Sequence, residues 1–274
     1  PTKVTRTVNS AANVAVEGHF DLGAQLVGGQ LQSSLKDDRR QPASWVNPSS
    51  VVFHLSDAAK TTAPADFGFV AAPGSTVWAI GSVQRPGIPW LGQNTQHPSI
   101  VNGTTGPVTW RLVSVKGPGK MAVFNAGSFG SGVGQRVFDN VGGPTSYQIP
   151  ANTHSHPNWV FTQPGAYHVT IEQTATTKAG AKVSSTTVLH FAVGVDPKTA
   201  AAATTVEEWV GKTPSGKDCV LSAEQIAKLP KGAKIGGLNA NMPTTGAENQ
   251  ELTLAAVVLL LAGCTILMVR RRFA

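Results

Sequence analysis

Cysteine is nearly missing: the 274 residues hold two, Cys219 and Cys264, in unlike surroundings. That excludes a disulfide framework, a zinc ribbon and a redox pair. Charged residues are sparse at 14%, and the net charge of +7 is not gathered on one segment. Arg270, Arg271 and Arg272 close the chain and the other basic residues stand mostly singly. With no basic stripe interleaved with aromatics, a dedicated nucleic-acid binder is excluded. Helix-forming runs are thin over the first 196 residues, which excludes an all-α protein. No Gly-x-Ser-x-Gly elbow, His-Glu-x-x-His, phosphate loop or dinucleotide fingerprint occurs, so the enzyme classes that depend on them are excluded. A hydrolase built on Asp37, Asp38 or Asp139 would leave no such signature; the chain is read as non-enzymatic.

Valine, threonine, glycine and proline are plentiful instead. Short β-branched and aromatic runs recur at residues 51–55, 76–80, 108–112, 167–171 and 187–193, most of them following a Pro-Gly, Gly-Pro or Pro-Ser-Ser turn. Such runs, punctuated in this way, predict an all-β fold, an antiparallel β-sandwich over residues 1–196. The Gly- and Pro-rich stretch from Pro86 to Phe124 predicts long ordered loops, and Gly127–Gly134 a mobile one. From Asp196-Pro197 the composition turns to Lys, Ala, Thr and Gly. Residues 197–241 therefore read as a wall-spanning tether, with one short helix, SAEQIAKL, capped by Ser222 and ended by Pro230. Cys219 lies in this tether and reads as an unpaired passenger.

Leu252–Val269 is an 18-residue run without a charge, followed at once by three arginines. As a helix it would be about 27 Å long, close to the hydrocarbon thickness of a bilayer. The arginines predict a cytoplasmic tail, which places everything before residue 252 outside the cell. The opening at Pro1, without Met or an apolar stretch, reads as a mature N-terminus from which an export signal has been removed.

Upstream of that run stand Met242, Pro243, Thr244, Thr245 and Gly246. Pentapeptide, apolar span and basic tail over residues 242–274 together resemble the cell-wall sorting signal of Gram-positive bacteria. That motif is Leu-Pro-any-Thr-Gly, with Met242 here in place of Leu, a side chain of similar volume. The resemblance implies a sortase that cuts between Thr245 and Gly246 and passes the Thr245 carboxyl to a peptidoglycan precursor. The membrane would hold the chain through Leu252–Val269 before that step.

The strings Glu17-Gly18-His19-Phe20-Asp21 and Thr153-His154-Ser155-His156-Pro157-Asn158-Trp159-Val160-Phe161-Thr162-Gln163-Pro164-Gly165-Ala166-Tyr167 carry a second likeness. They resemble the actinobacterial surface-anchored repeat domain of the choice-of-anchor M type, over roughly residues 17–194. That resemblance implies the surface of an actinobacterium and a metal-uptake ABC transporter as partner. It supplies no reaction.

Residues i and i+2 of a strand project to one face. His19 with Asp21, and His154 with His156, therefore form two doublets. Brought together they offer three imidazoles and a carboxylate, a set suited to zinc, with manganese or iron as alternatives. Asn158 or a buried carbonyl would orient a ring from behind. His54, His97, His168 and His190 read as ordinary strand or loop residues. A second candidate surface is aromatic. Trp78 and Trp110, at strand positions, read as core, as does Trp159. Trp90, with Arg85 and Asn94, reads as a ligand-binding set for a glycan or haem-like molecule. The expected function is a wall-anchored surface protein that binds or hands over a transition metal for an uptake system. The alternatives are a passive adhesive or structural wall protein, or a glycan-binding module.

Overall fold

A computed structural model describes residues 2–127, 132–212, 218–220 and 236–237. It is mostly β-strand, in several sheets, and divides into two units. One unit is Val8–Thr204; the other comprises residues 1–7 and 205–274.

Three sheets build the Val8–Thr204 unit; strands are numbered in chain order. The first has the order β13 (Ser146–Ile149), β10 (Thr104–Lys116), β16 (Gly165–Thr177), β17 (Lys182–Val193), β6 (Val52–Leu55) and β2 (Val14–Ala15). The second runs β12 (Val133–Asp139), β11 (Met121–Ala126), β15 (Asn158–Phe161), β8 (Thr76–Ile80) and β7 (Lys60–Thr62). The third, which carries the site, runs β14 (His154–Ser155), β9 (Pro89–Asn94), β3 (Gly18–Val27), β4 (Gln30–Asp37) and β5 (Ser44–Val46). All three turn an apolar face to one core: Phe20, Leu22 and Leu35 from the third sheet, Trp159 and Phe161 from the second, and Val169, Leu189 and Phe191 from the first. Alternation decides this. In β16 the even-spaced Tyr167, Val169 and Ile171 are fully buried while His168, Thr170 and Glu172 are not. Trp159 ties two sheets together, its indole donating to the Leu91 carbonyl at 3.2 Å. The Tyr167 hydroxyl donates to the Gln163 carbonyl at 2.9 Å and so closes the Gln163-Pro-Gly turn into β16.

The all-β expectation holds, and all five predicted runs lie in strands (β6, β8, β10, β16 and β17). Uniform antiparallel pairing does not hold: β3 lies parallel to β9, and β6 parallel to both β17 and β2. A sequence records which face of a strand is apolar but not the direction of its neighbour. The stretch expected to be loops between Pro86 and Phe124 contains β9, a helix α1 (Pro98–Gly103), β10 and β11. Strand β9 (Pro-Trp-Leu-Gly-Gln-Asn) lacks β-branched residues, and its pairing on both sides supplies what propensity withholds.

The other unit has a sheet of order β19 (Asp218–Val220), β18 (Ala203–Lys212), β1 (Thr2–Asn9) and β20 (Gly236–Gly237), of which β1 and β18 run into the Val8–Thr204 unit. Part of the stretch expected to be tether is thus a ten-residue strand. Its Ala-Thr-Thr-Val-Glu-Glu-Trp-Val core is β-branched and aromatic, a local signal lost in the averaged composition. Cys219 lies in β19. The SAEQIAKL segment, the Met242–Gly246 motif, the Leu252–Val269 run and Arg270–Arg272 lie outside the described residues, as do positions 128–131 of the Gly-rich stretch. Among the described residues no helix is long and apolar enough to cross a membrane.

Candidate metal centre

The third sheet has one face in the core and one turned outward. Strand β3 buries Phe20 and Leu22 inward, so His19 and Asp21 point out. Register then assembles the neighbours. His19 pairs with Trp90 and Asp21 with Gly92 on β9; Asp21 pairs with Lys36 on β4; His154 of β14 pairs with Asn94. The β14 segment, which crosses between β13 and β15, delivers His154 and His156 onto this face from about 135 residues away in sequence.

The four predicted ligands meet. His156 Nε2 lies 3.0 Å from His19 Nε2 and 3.1 Å from His154 Nε2. Asp21 Oδ1 lies 2.9 Å from His154 Nε2 and 3.5 Å from both His19 Nε2 and His156 Nε2. All four donor atoms fall within 4.8 Å of one another. An ion with four tetrahedral bonds of about 2.0–2.1 Å sets its donors roughly 3.3 Å apart. Five of the six separations here therefore match an ion at the centre, and the group could hold one. Asp21 is fully buried and His156 nearly so, whereas the His154 side chain is 35% exposed, so the cluster opens to solvent on the β14 side.

The supports are specific. Asp38 Oδ2 lies 2.6 Å from His19 Nδ1, which puts the proton on Nδ1 and leaves the Nε2 lone pair facing the cluster. The Lys36 ammonium lies 3.0 Å from the same oxygen. Burial pushes the Asp38 carboxyl upward, but Lys36 and His19 outweigh it and hold the group below the usual carboxylate range. Asn94 Nδ2 donates to Asp21 Oδ2 at 3.3 Å, leaving Oδ1 for the cluster. His156 is fixed differently, its ring stacked on Trp90 at 3.5 Å and 12°. Its Nδ1 is buried and has no hydrogen-bond partner among the described residues. Burial, and then His19 and His154, push the His156 pKa down to about 3, so the ring is neutral and its lone pair available. Gly92 makes the room: a Cβ there would sit 2.5 Å from Asp21 Oδ1 and 2.6 Å from His156 Cε1.

No protein-family model matches this chain, and neither a curated protein nor a solved structure does. The chemistry therefore rests on the geometry.

The three residues read as a ligand-binding surface separate. Trp90 is the platform beneath His156, and Asn94 is buried behind Asp21, so both belong to the cluster. Arg85 lies apart, lining a cavity of about 640 Å³ with Glu17, Gly18, Arg39, Gln84 and Pro86. Trp78, Trp110 and Trp159 are core residues. Asn158, expected behind a ligand ring, instead accepts from the Ser82 amide and donates to the Phe124 carbonyl. The orienting role falls to Asp38, which sequence reasoning set aside as a hydrolase carboxylate. One signal for it was available. Asp38 is the second residue beyond Lys36, so a chain that stays extended one residue past β4 places both on the face that carries His19.

Proposed function

We propose that this chain is a cell-surface binding protein that holds a transition metal and hands it to an uptake system, anchored to the wall of a Gram-positive, actinobacterial cell. The observation that carries the reading is the convergence of the ligand atoms of His19, Asp21, His154 and His156 on one point. Three imidazoles and one carboxylate favour zinc, with manganese and iron as alternatives. Four protein donors fill a tetrahedral shell, the arrangement of ions that are held, whereas a catalytic zinc keeps one position for water. The chain is accordingly read as non-catalytic. The exposed flank at His154 gives an acceptor access to the ion. Anchoring rests on the sorting-signal resemblance of residues 242–274: a sortase as processing partner, peptidoglycan as the covalent attachment, and a metal ABC transporter as the recipient.

Elemental analysis of the purified chain, followed by chelator competition with zinc(II) and manganese(II), tests the metal. About one equivalent of metal is expected, and little in His154→Ala. Absence of metal, with zinc binding no tighter in the wild type than in that variant, would overturn the reading and leave a passive adhesive or structural wall protein. Release from cells by muramidase but not by detergent tests the anchor; detergent release unchanged by Thr245→Ala would refute it.

A further inference from the structure

A ligand histidine donates more strongly the further its distal N–H is drawn toward a partner carboxylate. In His19 that partner is Asp38, through a single oxygen: Oδ2 lies 2.6 Å from His19 Nδ1, and the same Oδ2 lies 3.0 Å from Lys36 Nζ. The other oxygen, Oδ1, is buried and has no hydrogen-bond partner among the described residues. Ammonium and imidazole N–H therefore compete for one acceptor. Proton affinity that Asp38 lends to Lys36 is withheld from His19, and His19 becomes the weaker ligand. The pair is not the solvated surface kind that contributes little: the Asp38 side chain is 16% exposed and that of Lys36 31%. Register holds the arrangement, since Lys36 stands opposite Asp21 on the adjacent strand. Two other ligands are backed without a charge: Asp21 by the neutral Asn94 amide, and His156 by the Trp90 ring.

We infer that Lys36, acting through Asp38, keeps the affinity of this centre below what its four donors would otherwise reach, so that the ion is released as readily as it is captured. Lys36 and Asp38 are positioning residues. This rests on the metal-holding reading and deepens it: a permanent structural ion has no use for a cation weakening its ligand, whereas a centre that passes its ion on does.

The two residues then have opposite signs, which a merely structural role would not produce. With the full chain and zinc(II) as probe, Asp38→Asn should weaken binding about 10–100-fold, the range for loss of such a partner. Lys36→Met, which keeps the aliphatic stem, should tighten binding several-fold and slow transfer of zinc to an excess of chelator. A direct repulsion between Lys36 and the ion would also tighten binding, so the double variant decides. If the effect runs through Asp38, Lys36→Met should change nothing in the Asp38→Asn background. Lys36→Gln, with thermal melting of the metal-free proteins, guards against a folding defect. The inference is overturned if Lys36→Met weakens binding or leaves it unchanged, or tightens it equally with and without Asp38. Failure of the underlying reading looks different, because the wild type would then bind zinc no better than His154→Ala.

Discussion

Two places in this molecule bring imidazole nitrogens to about 3 Å, and they have opposite character. On the outward face of the third sheet, His19, His154 and His156 converge around the Asp21 carboxylate. On the first sheet, His168 of β16 and His190 of β17 stand opposite one another, with Nδ1 atoms 2.8 Å apart. The other nitrogen of His190 reaches the Thr204 hydroxyl at 3.3 Å. This second pair is complete as a hydrogen-bonded unit, one ring donating and the other accepting. It has no third donor: among the described residues the cluster around Asp21 is the grouping of three or more ligand side chains. Proximity of histidines is thus not what makes a metal centre. A carboxylate at the focus, a carboxylate behind the His19 ring and an aromatic platform beneath His156, and an open flank distinguish the first place from the second.

That comparison can be broken most forcefully by removing ligands. His19→Ala and His154→Ala should each lower zinc affinity by on the order of 100-fold or more, above the cost of losing a partner behind a ligand. His190→Gln should leave affinity untouched. Chelator competition measures both, and an equal loss in His190→Gln would erase the distinction.

Stability should follow the same division. Zinc at about 1,000 times its Kd should stabilise the wild type by roughly 4 kcal/mol, because it binds the folded chain and not the unfolded one. Asp21→Asn should lose most of that gain in a thermal melt, and His168→Gln none.

Acid should act on both places in the metal-free protein. Burial and His168 push the His190 pKa down to about 4, burial and Lys116 lower that of His168, and His156 falls to about 3. The unfolded chain, with histidines near 6.5, therefore takes up protons first, and stability rises with pH wherever the unfolded state binds more of them. Stability should be full above about 6.5 and fall as pH drops toward about 4 and below. Denaturant melts across that range should give a shallower slope for His190→Gln. Zinc affinity should also weaken in acid, as protons compete for the ligand nitrogens.

The smallest effect concerns space. Gly92→Ala should fold, since the new methyl meets side chains, but overpacking of about 1–3 kcal/mol against Asp21 and His156 should weaken zinc binding. Unchanged affinity there would mean that the cluster is looser than its separations indicate.

The four ligands were readable because each doublet obeys a local rule: with a two-residue period, one extended segment carries both side chains to one face. The strands of β6, β8, β16 and β17 were readable for the same reason, through apolar alternation. Residue patterns carry no such record of neighbours. Nothing in Trp90, Asn94 or Lys36 says that β9 lies parallel to β3 or that β4 sets Lys36 opposite Asp21, yet those registers turned a supposed glycan platform into the support of His156. Asp37 and Asp139 pair with arginines two and three residues away, Arg39 and Arg136, whereas only the packing of β3 beside the end of β4 made Asp38 the partner of His19. By itself, then, the chain determined its β character and the pairing of ligands within each doublet, because both depend on the geometry of a single strand. The tertiary structure alone decided that the two doublets meet, what stands behind each ring and which side faces water, because these depend on contacts between segments up to 137 residues apart.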